Sequence, residues 1–212
     1  MSHFVEYFKT HGTEYLALLG DHLLISLAAV LFAMVIAIPI GIFVSQHKIG
    51  RLIAEQFFGL LRIIPSLAIL IILIPIMGTG IKPSLVALTI LAVPPILINT
   101  IQAFRSLSPA TLEAAAGMGM SPSQSFFMVK IPLAFPFMYA GIRTAVVEVI
   151  SSATLASYIG AGGLGDIIFT GLALLRYDLL IIGGGSVAIL SLGTGFMLDS
   201  IYKHITRYQH IT

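Results

Sequence analysis

AFRSLSPATLEAAAGMGMSPSQSFFMVKIP, residues 103–132, is the polar stretch that decides the fold, and we call it the polar loop. Almost everything on either side of it is apolar enough to lie in lipid, so it is the longest part of the chain suited to water. Because apolar spans flank it, we expect the polar loop to join two transmembrane helices and to stand at one face of the membrane.

The polar loop carries signals for two helix starts and one helix end. Ser108-Pro109 is typical of a helix N-terminus, because Ser accepts backbone N–H bonds and Pro fits the first turn. Gly117 and Gly119 are predicted to end that helix, since glycine adopts the left-handed conformation without steric cost. Ser121 then begins a second short helix, which we expect to run through Lys130. The predicted shape is helix, glycine bend, helix.

Composition places the chain in a membrane. Of its 212 residues, 58% are hydrophobic and only 9% are charged, whereas a soluble domain carries about 25% charged residues. The net charge of +2 comes from Lys and Arg scattered beside apolar spans, so nucleic acid is not an expected partner. Cysteine is absent, which excludes disulfides and thiolate metal sites, and the His residues show no metal-binding spacing. We expect neither a metal nor a cofactor in this chain.

Five apolar runs are close to the roughly 20 residues that cross a bilayer. They predict transmembrane helices at residues 23–44, 57–77, 81–101, 135–156 and 179–198. Pro94-Pro95 is expected to break the third, and the glycines of the last are expected to let helices approach closely. Residues 1–212 are therefore predicted to form one all-α integral membrane domain. It is a bundle of five transmembrane helices, or six if Ile167–Leu175 also enters the membrane.

Two further expectations concern the N-terminus and the orientation. Residues 1–21 hold aromatic side chains at roughly helical spacing, which fits either a helix in the membrane interface or a disordered tail. They lack a basic start, and the first apolar span is too long for a cleavable signal peptide. With the N-terminus outside and the C-terminus cytoplasmic, the positive-inside rule is satisfied, because six basic residues fall inside and three outside. The inside set is Lys48, Arg51, Arg105, Lys130, Lys203 and Arg207, and the outside set is Lys9, Lys82 and Arg176.

A motif within the polar loop resembles a known family. Glu113-Ala114-Ala115, followed by Gly119 and then by Val129, Ile131 and Pro132, resembles the EAA loop of binding-protein-dependent ABC importer permeases. Val129 and Ile131 are mild departures from that family's Ile-x-Leu-Pro ending. The resemblance implies a cytoplasmic coupling helix that sits in a groove of an ATPase subunit, with contacts from Glu113, Ala114, Ala115, Gly117 and Gly119. The alternative is an amphipathic interfacial loop between two membrane helices.

Four segments extend the resemblance over nearly the whole chain. Residues 62–68, 112–121, 140–145 and 159–165 resemble the quaternary-amine osmoprotectant permeases, which handle glycine betaine, carnitine and choline. The methionine-uptake permeases are similar around the last segment, so methionine or another small solute is an alternative. The resemblance implies a bacterial plasma membrane permease that works by ATP-driven alternating access. It would pair with an identical or related permease, with cytoplasmic ATPase subunits that bind ATP and Mg, and with an external solute-binding protein.

The glycines of the last segment have the spacing of a dinucleotide-binding motif but not its structural context. Gly160, Gly162 and Gly165 fit G-x-G-x-x-G, but a dinucleotide fingerprint must follow a strand and open a helix in a βαβ unit. Here they follow a predicted membrane helix. The chain also has no G-x-x-x-x-G-K-[ST] loop for ATP. We therefore expect any ATP to be held by a partner and the chain itself not to be an enzyme.

Two charged residues lie deep in the fourth predicted span. Arg143 and Glu148 are expensive in a membrane and therefore suggest function, but five residues apart they do not share a helix face. Glu148, with Ser151 and Ser152, predicts either a stretch of the substrate path facing a cation or structural pairing with a neighbouring helix. Arg62 is expected to extend to the membrane surface. An ion-coupled secondary transporter is the alternative from another class, although one deep carboxylate and five spans fit it poorly.

Overall fold

The computed structural model describes the backbone of residues 2–206, with side chains from residue 6 onward, and this part of the chain is helices and connecting turns. The helices are α1 (Ser2–Ser45), α2 (Lys48–Leu61), α3 (Ser66–Met77), α4 (Ile81–Arg105), α5 (Pro109–Gly117), α6 (Pro122–Ser125), α7 (Ile131–Ala156), α8 (Gly165–Ala173) and α9 (Tyr177–Ile205). A π-helical turn, Phe126–Lys130, joins α6 to α7.

Four helical stretches are long and apolar enough to cross a membrane: Glu6–Ser45, Ile81–Arg105, Pro122–Ile159 and Tyr177–Ile205. The pair α2 and α3 makes a fifth crossing if the two helices count as one bent span. The predicted all-α membrane bundle is confirmed. A nine-residue helix such as α8 rises only about 14 Å, less than half of the roughly 30 Å hydrocarbon core, so α8 does not provide a sixth crossing.

The second predicted span, 57–77, is wrong as a single helix. The chain bends by 91° between α2 and α3, and the break is a four-residue hinge, Arg62–Pro65. Pro65 precedes the first residue of α3 with an extended ψ of 134°. Proline has no N–H and disfavours a helical conformation in the residue before it, Ile64, so the helix stops and restarts in a new direction.

Helix α4 is the central element and packs against α1, α2, α3 and α7. Two glycines permit this packing: a Cβ at Gly41 of α1 would lie 2.8 Å from the Thr100 Cβ, and one at Gly141 of α7 would lie 2.6 Å from the Asn99 Cβ. The predicted break at Pro94-Pro95 does not occur, because α4 is continuous through both prolines. Both are buried between neighbouring helices, and packing of this kind sustains prolines inside membrane helices.

Residues before the first predicted span belong to α1 itself. Two helical stretches meet at a kink at His11 (φ −116°, ψ 16°) within Ser2–Ser45, so the described residues before the first predicted span are helical and are not a disordered tail. The Tyr15 hydroxyl donates a hydrogen bond of 2.8 Å to the Ser186 Oγ of α9, which ties the outer part of α1 to the bundle. Arg207, which contributed to the predicted orientation, lies outside the described residues.

The glycine run between α7 and α8 has a packing role. Gly160, Gly162 and Gly163 have φ of +82°, +77° and +91°, values that side chains resist. A Cβ at Gly163 would lie 3.1 Å from the Nδ1 of His22, a residue with no exposed surface. These glycines let the chain turn tightly over a buried histidine, and the segment follows a helix rather than the strand that a dinucleotide site requires.

Contacts between α7 and α9 complete the bundle. The Arg143 Nη2 donates to the Asp199 Oδ2 at 2.8 Å, and the Tyr139 hydroxyl donates to the Leu198 carbonyl oxygen at 2.5 Å. Arg143 therefore pairs with another helix and not with Glu148, as its spacing predicted. At the other end of α9, a Cβ at Gly183 would lie 2.6 Å from the Ile168 Cγ1 of α8, which is the close approach that a small residue allows.

Candidate functional site: an intramembrane cavity and the polar loop

The first helix of the polar loop begins at the predicted position but without the predicted side-chain cap. Ser108 precedes α5 with an extended backbone (φ −66°, ψ 127°) and Pro109 is the first helical residue, but the Ser108 side chain makes no capping hydrogen bond. Gly117 is the last residue of α5 and keeps a helical conformation, whereas Gly119 takes the left-handed one, with φ of +76°. The predicted bend is therefore confirmed at Gly119, while Gly117 only precedes it.

The second half of the polar loop does not end where predicted. A capping box starts α6: the Gln124 N–H donates to the Ser121 Oγ at 3.3 Å, and the Ser121 N–H donates to the Gln124 Oε1 at 2.8 Å. The helix does not stop at Lys130 but runs through the π-helical turn directly into α7. A π turn accommodates one extra residue without interrupting the helix. The loop and the fourth span therefore share one helical stretch, Pro122–Ile159.

Exposure divides the predicted coupling residues of α5 into two groups. Glu113, Ala114 and Gly117 are exposed, and Met118, just after them, has 71% of its surface exposed. Ala115 is only 1% exposed and packs inside the chain. A partner could touch the first group directly, while Ala115 could act only through the shape of the loop.

A cavity of about 460 Å³ lies among the α2–α3 hinge, α4 and α7. It brings together the three residues predicted for the substrate path, Glu148, Ser151 and Ser152, all on α7. Residues 61–66, which are the hinge and one residue on each side of it, also line the cavity. Helix α4 contributes Ile90, Leu91 and Pro94. Glu148 lies roughly 26 Å above Ile131, the first residue of α7, at 1.5 Å per residue. The cavity is thus well inside the membrane-crossing part of the chain.

An ion pair spans this cavity. The Arg62 Nη2 donates to the Glu148 Oε1 at 2.9 Å, and the side chains are 45% and 34% exposed, respectively. The prediction that Arg62 extends to the membrane surface is wrong, because the helix break turns this residue towards α7. Glu148 pairs with a neighbouring element and also lines the cavity, so the structural alternative is observed and its role in the substrate path stays a prediction. The signal for Arg62 was available: it is a lone charge, opposite in sign to Glu148, within another apolar run.

Uncharged polar groups, namely hydroxyls and backbone carbonyls, complete the cavity wall. The Ser151 hydroxyl donates to the Val147 carbonyl oxygen at 3.0 Å and lies 3.3 Å from the Ser191 Oγ of α9. Pro94 and Pro95 have no N–H, so the helical bonds to the carbonyls of Ile90 and Leu91 are missing. Among the residues described, none of those lining the cavity is aromatic. The arrangement offers one carboxylate, one guanidinium, hydroxyls and two free carbonyls in apolar surroundings, which suits a small charged solute.

A second cleft, of about 410 Å³, lies near the other ends of the helices, between the outer part of α1, α8 and the start of α9. Glu6, Glu14, Asp166 and Arg176 line it. Burial raises the pKa of the Asp166 carboxyl, the nearby Ser157 hydroxyl offsets part of that effect, and the Asp21 carboxylate adds to it. None of the predicted site residues lies in this cleft, and among the described side chains, residues 6–206, no cluster of His, Asp and Glu could hold a metal ion.

Membrane-crossing helices around a charged cavity, with a helical loop projecting from one end, define a multi-span transport subunit. Residues 37–209 match the family described as binding-protein-dependent transport system inner membrane component, and the chain belongs to that family. It is therefore a permease subunit of an ABC importer in a bacterial inner membrane, a transport component and not itself an enzyme.

Relatives and a solved structure agree with this assignment. The chain is 39% identical over 206 residues to the glycine betaine/carnitine/choline transport system permease protein OpuCB of Bacillus subtilis, covering 97% of this chain and 95% of that protein. It is 41% identical over 206 residues to the carnitine transport permease protein OpuCB of Listeria monocytogenes, covering 97% and 94%. The inward-facing MetNI methionine ABC transporter superposes with a TM-score of 0.75 at 23% identity, covering 91% of this chain and 96% of that one. The last comparison establishes the fold.

Proposed function

We propose that this permease carries a small quaternary-amine osmoprotectant: glycine betaine, carnitine or choline. The observation that carries the proposal is the 39–41% identity, over 97% of the chain, to permeases named for these solutes. The chemistry of the cavity supports it. A quaternary ammonium has no N–H to donate, so it is held by negative charge and by dipoles, and Glu148 is the carboxylate that lines the cavity.

The size of the cavity is compatible with such a solute. At about 460 Å³ it falls within the roughly 300–1,000 Å³ typical of small-molecule sites. Aromatic cages are the usual tight binders of quaternary ammonium groups, and no aromatic residue is among the described residues that line this cavity. We infer weak, transient contact with the solute, as a transport path requires, while an external solute-binding protein supplies the affinity.

The polar loop is proposed to couple this permease to cytoplasmic ATPase subunits that bind ATP and Mg. Its support is the exposed face formed by Glu113, Ala114, Gly117 and Met118. The coupling face on α5 connects through the Gly119 bend to the helical stretch Pro122–Ile159, which passes through Glu148, so movement of the loop would reach the cavity across that one bend. A second permease, identical or related, would complete the path, and the N-terminus would lie outside the membrane.

The alternatives have less support. For methionine, the likeness to the methionine transporter is 23% identity, which supports the fold alone. For ion-coupled secondary transport, membership of a binding-protein-dependent family argues against a transporter that works without a binding protein.

Uptake by the complete importer tests the proposal. The permease, with its partner permease, ATPase and binding protein, is reconstituted into liposomes and offered radiolabelled glycine betaine, carnitine, choline or methionine. We expect ATP-dependent uptake of at least one quaternary amine, and none when ATP or the binding protein is omitted. Uptake of methionine alone would overturn the substrate assignment. Uptake that an ion gradient drives without ATP would overturn the mechanism.

A further inference from the structure

The Arg62–Glu148 ion pair differs from the other long-range ion pair of the described bundle in its surroundings. Both of its side chains line the cavity, whereas Arg143 and Asp199, which join α7 to α9, do not. With 45% and 34% of their side chains exposed, Arg62 and Glu148 are accessible to a molecule in the cavity. This pair is therefore placed to interact with a solute as well as to hold two helices together.

The two partners also differ in how firmly they are held. Glu148 is followed on α7 by Val149 and Ile150, which are 0% and 1% exposed in the main hydrophobic core. Arg62 belongs to the hinge between α2 and α3, where the helical hydrogen-bond pattern is interrupted. Hinges are the segments that absorb backbone changes in transport and closure motions. The geometry allows Arg62 to move away from a carboxylate that stays in place.

Separating two charges in a low-dielectric site is costly unless each finds a new partner. A zwitterion supplies both partners at once, because its carboxylate can pair with Arg62 while its quaternary ammonium faces Glu148. A solute that is only a cation satisfies Glu148 but leaves the guanidinium unpaired beside it. The cavity therefore discriminates by charge pattern and not only by size.

We propose that Arg62 and Glu148 form an exchangeable ion pair that opens for zwitterionic quaternary amines in preference to solutes that are cations only. The solute carboxylate takes the place of Glu148 on the guanidinium, and the solute ammonium takes the place of Arg62 on the carboxylate. Ser151, Ser152 and the two free carbonyls of α4 surround the ammonium methyl groups. This inference rests on the proposed function and adds the class of solute that the permease itself prefers.

The first test compares glycine betaine, a zwitterion, with choline, a cation, in the reconstituted importer. Arg62→Gln removes the group that holds the solute carboxylate and leaves Glu148 without its guanidinium partner, so we expect the ratio of choline to glycine betaine uptake to rise by about tenfold. Glu148→Gln should reduce uptake of both solutes. The control is Arg143→Gln, which breaks an ion pair outside the cavity and should leave the ratio unchanged. An unchanged ratio in Arg62→Gln would overturn the inference.

The second test keeps the ion pair intact and needs neither transport nor a binding protein. Because the chain has no cysteine, Ser151→Cys places a single thiol in the cavity, next to Glu148. Modification of this thiol by N-ethylmaleimide is followed by intact mass of the permease subunit, with the complete permease–ATPase complex held in nanodiscs. We expect glycine betaine to slow the reaction several-fold and choline at the same concentration to have little effect. Equal protection by both solutes, or by neither, would overturn the inference.

The two tests also separate this inference from the proposed function. If the parental importer takes up none of glycine betaine, carnitine and choline, the proposed function fails, and the thiol-protection comparison still decides whether the cavity prefers a zwitterion. If the parental importer takes up glycine betaine while Arg62→Gln keeps the parental solute ratio, the proposed function stands and the inference fails.

Discussion

At the scale of single residues, two neighbouring glycines of the polar loop differ only in backbone conformation. A Cβ at either Gly117 or Gly119 would meet nothing within 4 Å, yet only Gly119 has a positive φ, +76°. We expect Gly119→Val to strain the bend by about 1–3 kcal/mol and to abolish both uptake and the stimulation of ATP hydrolysis by loaded binding protein. Gly117→Val adds a side chain to the proposed coupling face without this backbone strain, so it should leave the bend intact and alter coupling only through its contact with the ATPase. If both variants couple like the parent, the bend has no part in coupling.

Ala114 and Ala115 allow direct contact with a partner to be distinguished from packing inside the loop. Ala115 is 1% exposed, so Ala115→Leu should overpack the permease itself and lower its stability by about 1–3 kcal/mol. Ala114 is exposed, so Ala114→Leu should leave stability unchanged and weaken ATPase binding. Thermal unfolding of the isolated permease and co-purification of the ATPase measure the two effects. Loss of stability in both variants, or in neither, would contradict this division.

The capping residues show how far sequence alone reaches at this scale. Pro109, Gly119 and Ser121 act on their immediate backbone neighbours, so their effects were predictable without knowledge of the fold. The Arg62–Glu148 pair joins residues 86 positions apart, and nothing in the spacing of the chain indicates that contact. Each charge was visible in its apolar run, but their meeting depends on the 91° bend between α2 and α3.

At the level of helices, the sequence does not show which prolines interrupt a helix and which lie within one. Pro39, Pro75, Pro94, Pro95 and Pro136 all lie inside helices, whereas Pro65 stands at a 91° bend. The local chemistry is the same in each case, because every proline removes one N–H. Whether the helix continues depends on the neighbours that pack around it, and that information is tertiary.

The close crossing of α4 and α7 predicts how one substitution changes the stability of the permease. A Cβ at Gly141 would lie 2.6 Å from the Asn99 Cβ and 2.7 Å from the Pro95 carbonyl oxygen. Gly141→Ala should therefore push the two helices apart and cost about 1–3 kcal/mol. Gly193→Ala in α9 is the control, since its Cβ would meet nothing within 4 Å. The midpoint of thermal unfolding in detergent should fall for the first variant only, and equal midpoints would contradict the close crossing.

At the scale of the whole molecule, the orientation follows from the distribution of charge and can be tested with two single thiols. Thr79, between α3 and α4, and Ser123, in the polar loop, are both exposed. With the N-terminus outside, Thr79→Cys should react with an impermeant maleimide added to intact cells, and Ser123→Cys should react only after the cells are opened. The chain has no other cysteine, so the background is low. The reverse pattern would invert the topology and remove the coupling proposal.

The π-helical turn Phe126–Lys130 has a consequence for the spacing that this protein can tolerate in evolution. One residue added to or removed from a helix rotates everything beyond it by about 100° and shifts it by about 1.5 Å. Deleting a residue between Phe126 and Lys130 would convert the π turn into an ordinary α turn, and the flanking helical segments would stay nearly in phase because the turn already absorbs that residue. The regular helix between Lys130 and Glu148 has no such turn, so a one-residue change there would rotate Glu148 relative to the polar loop and is expected to be excluded.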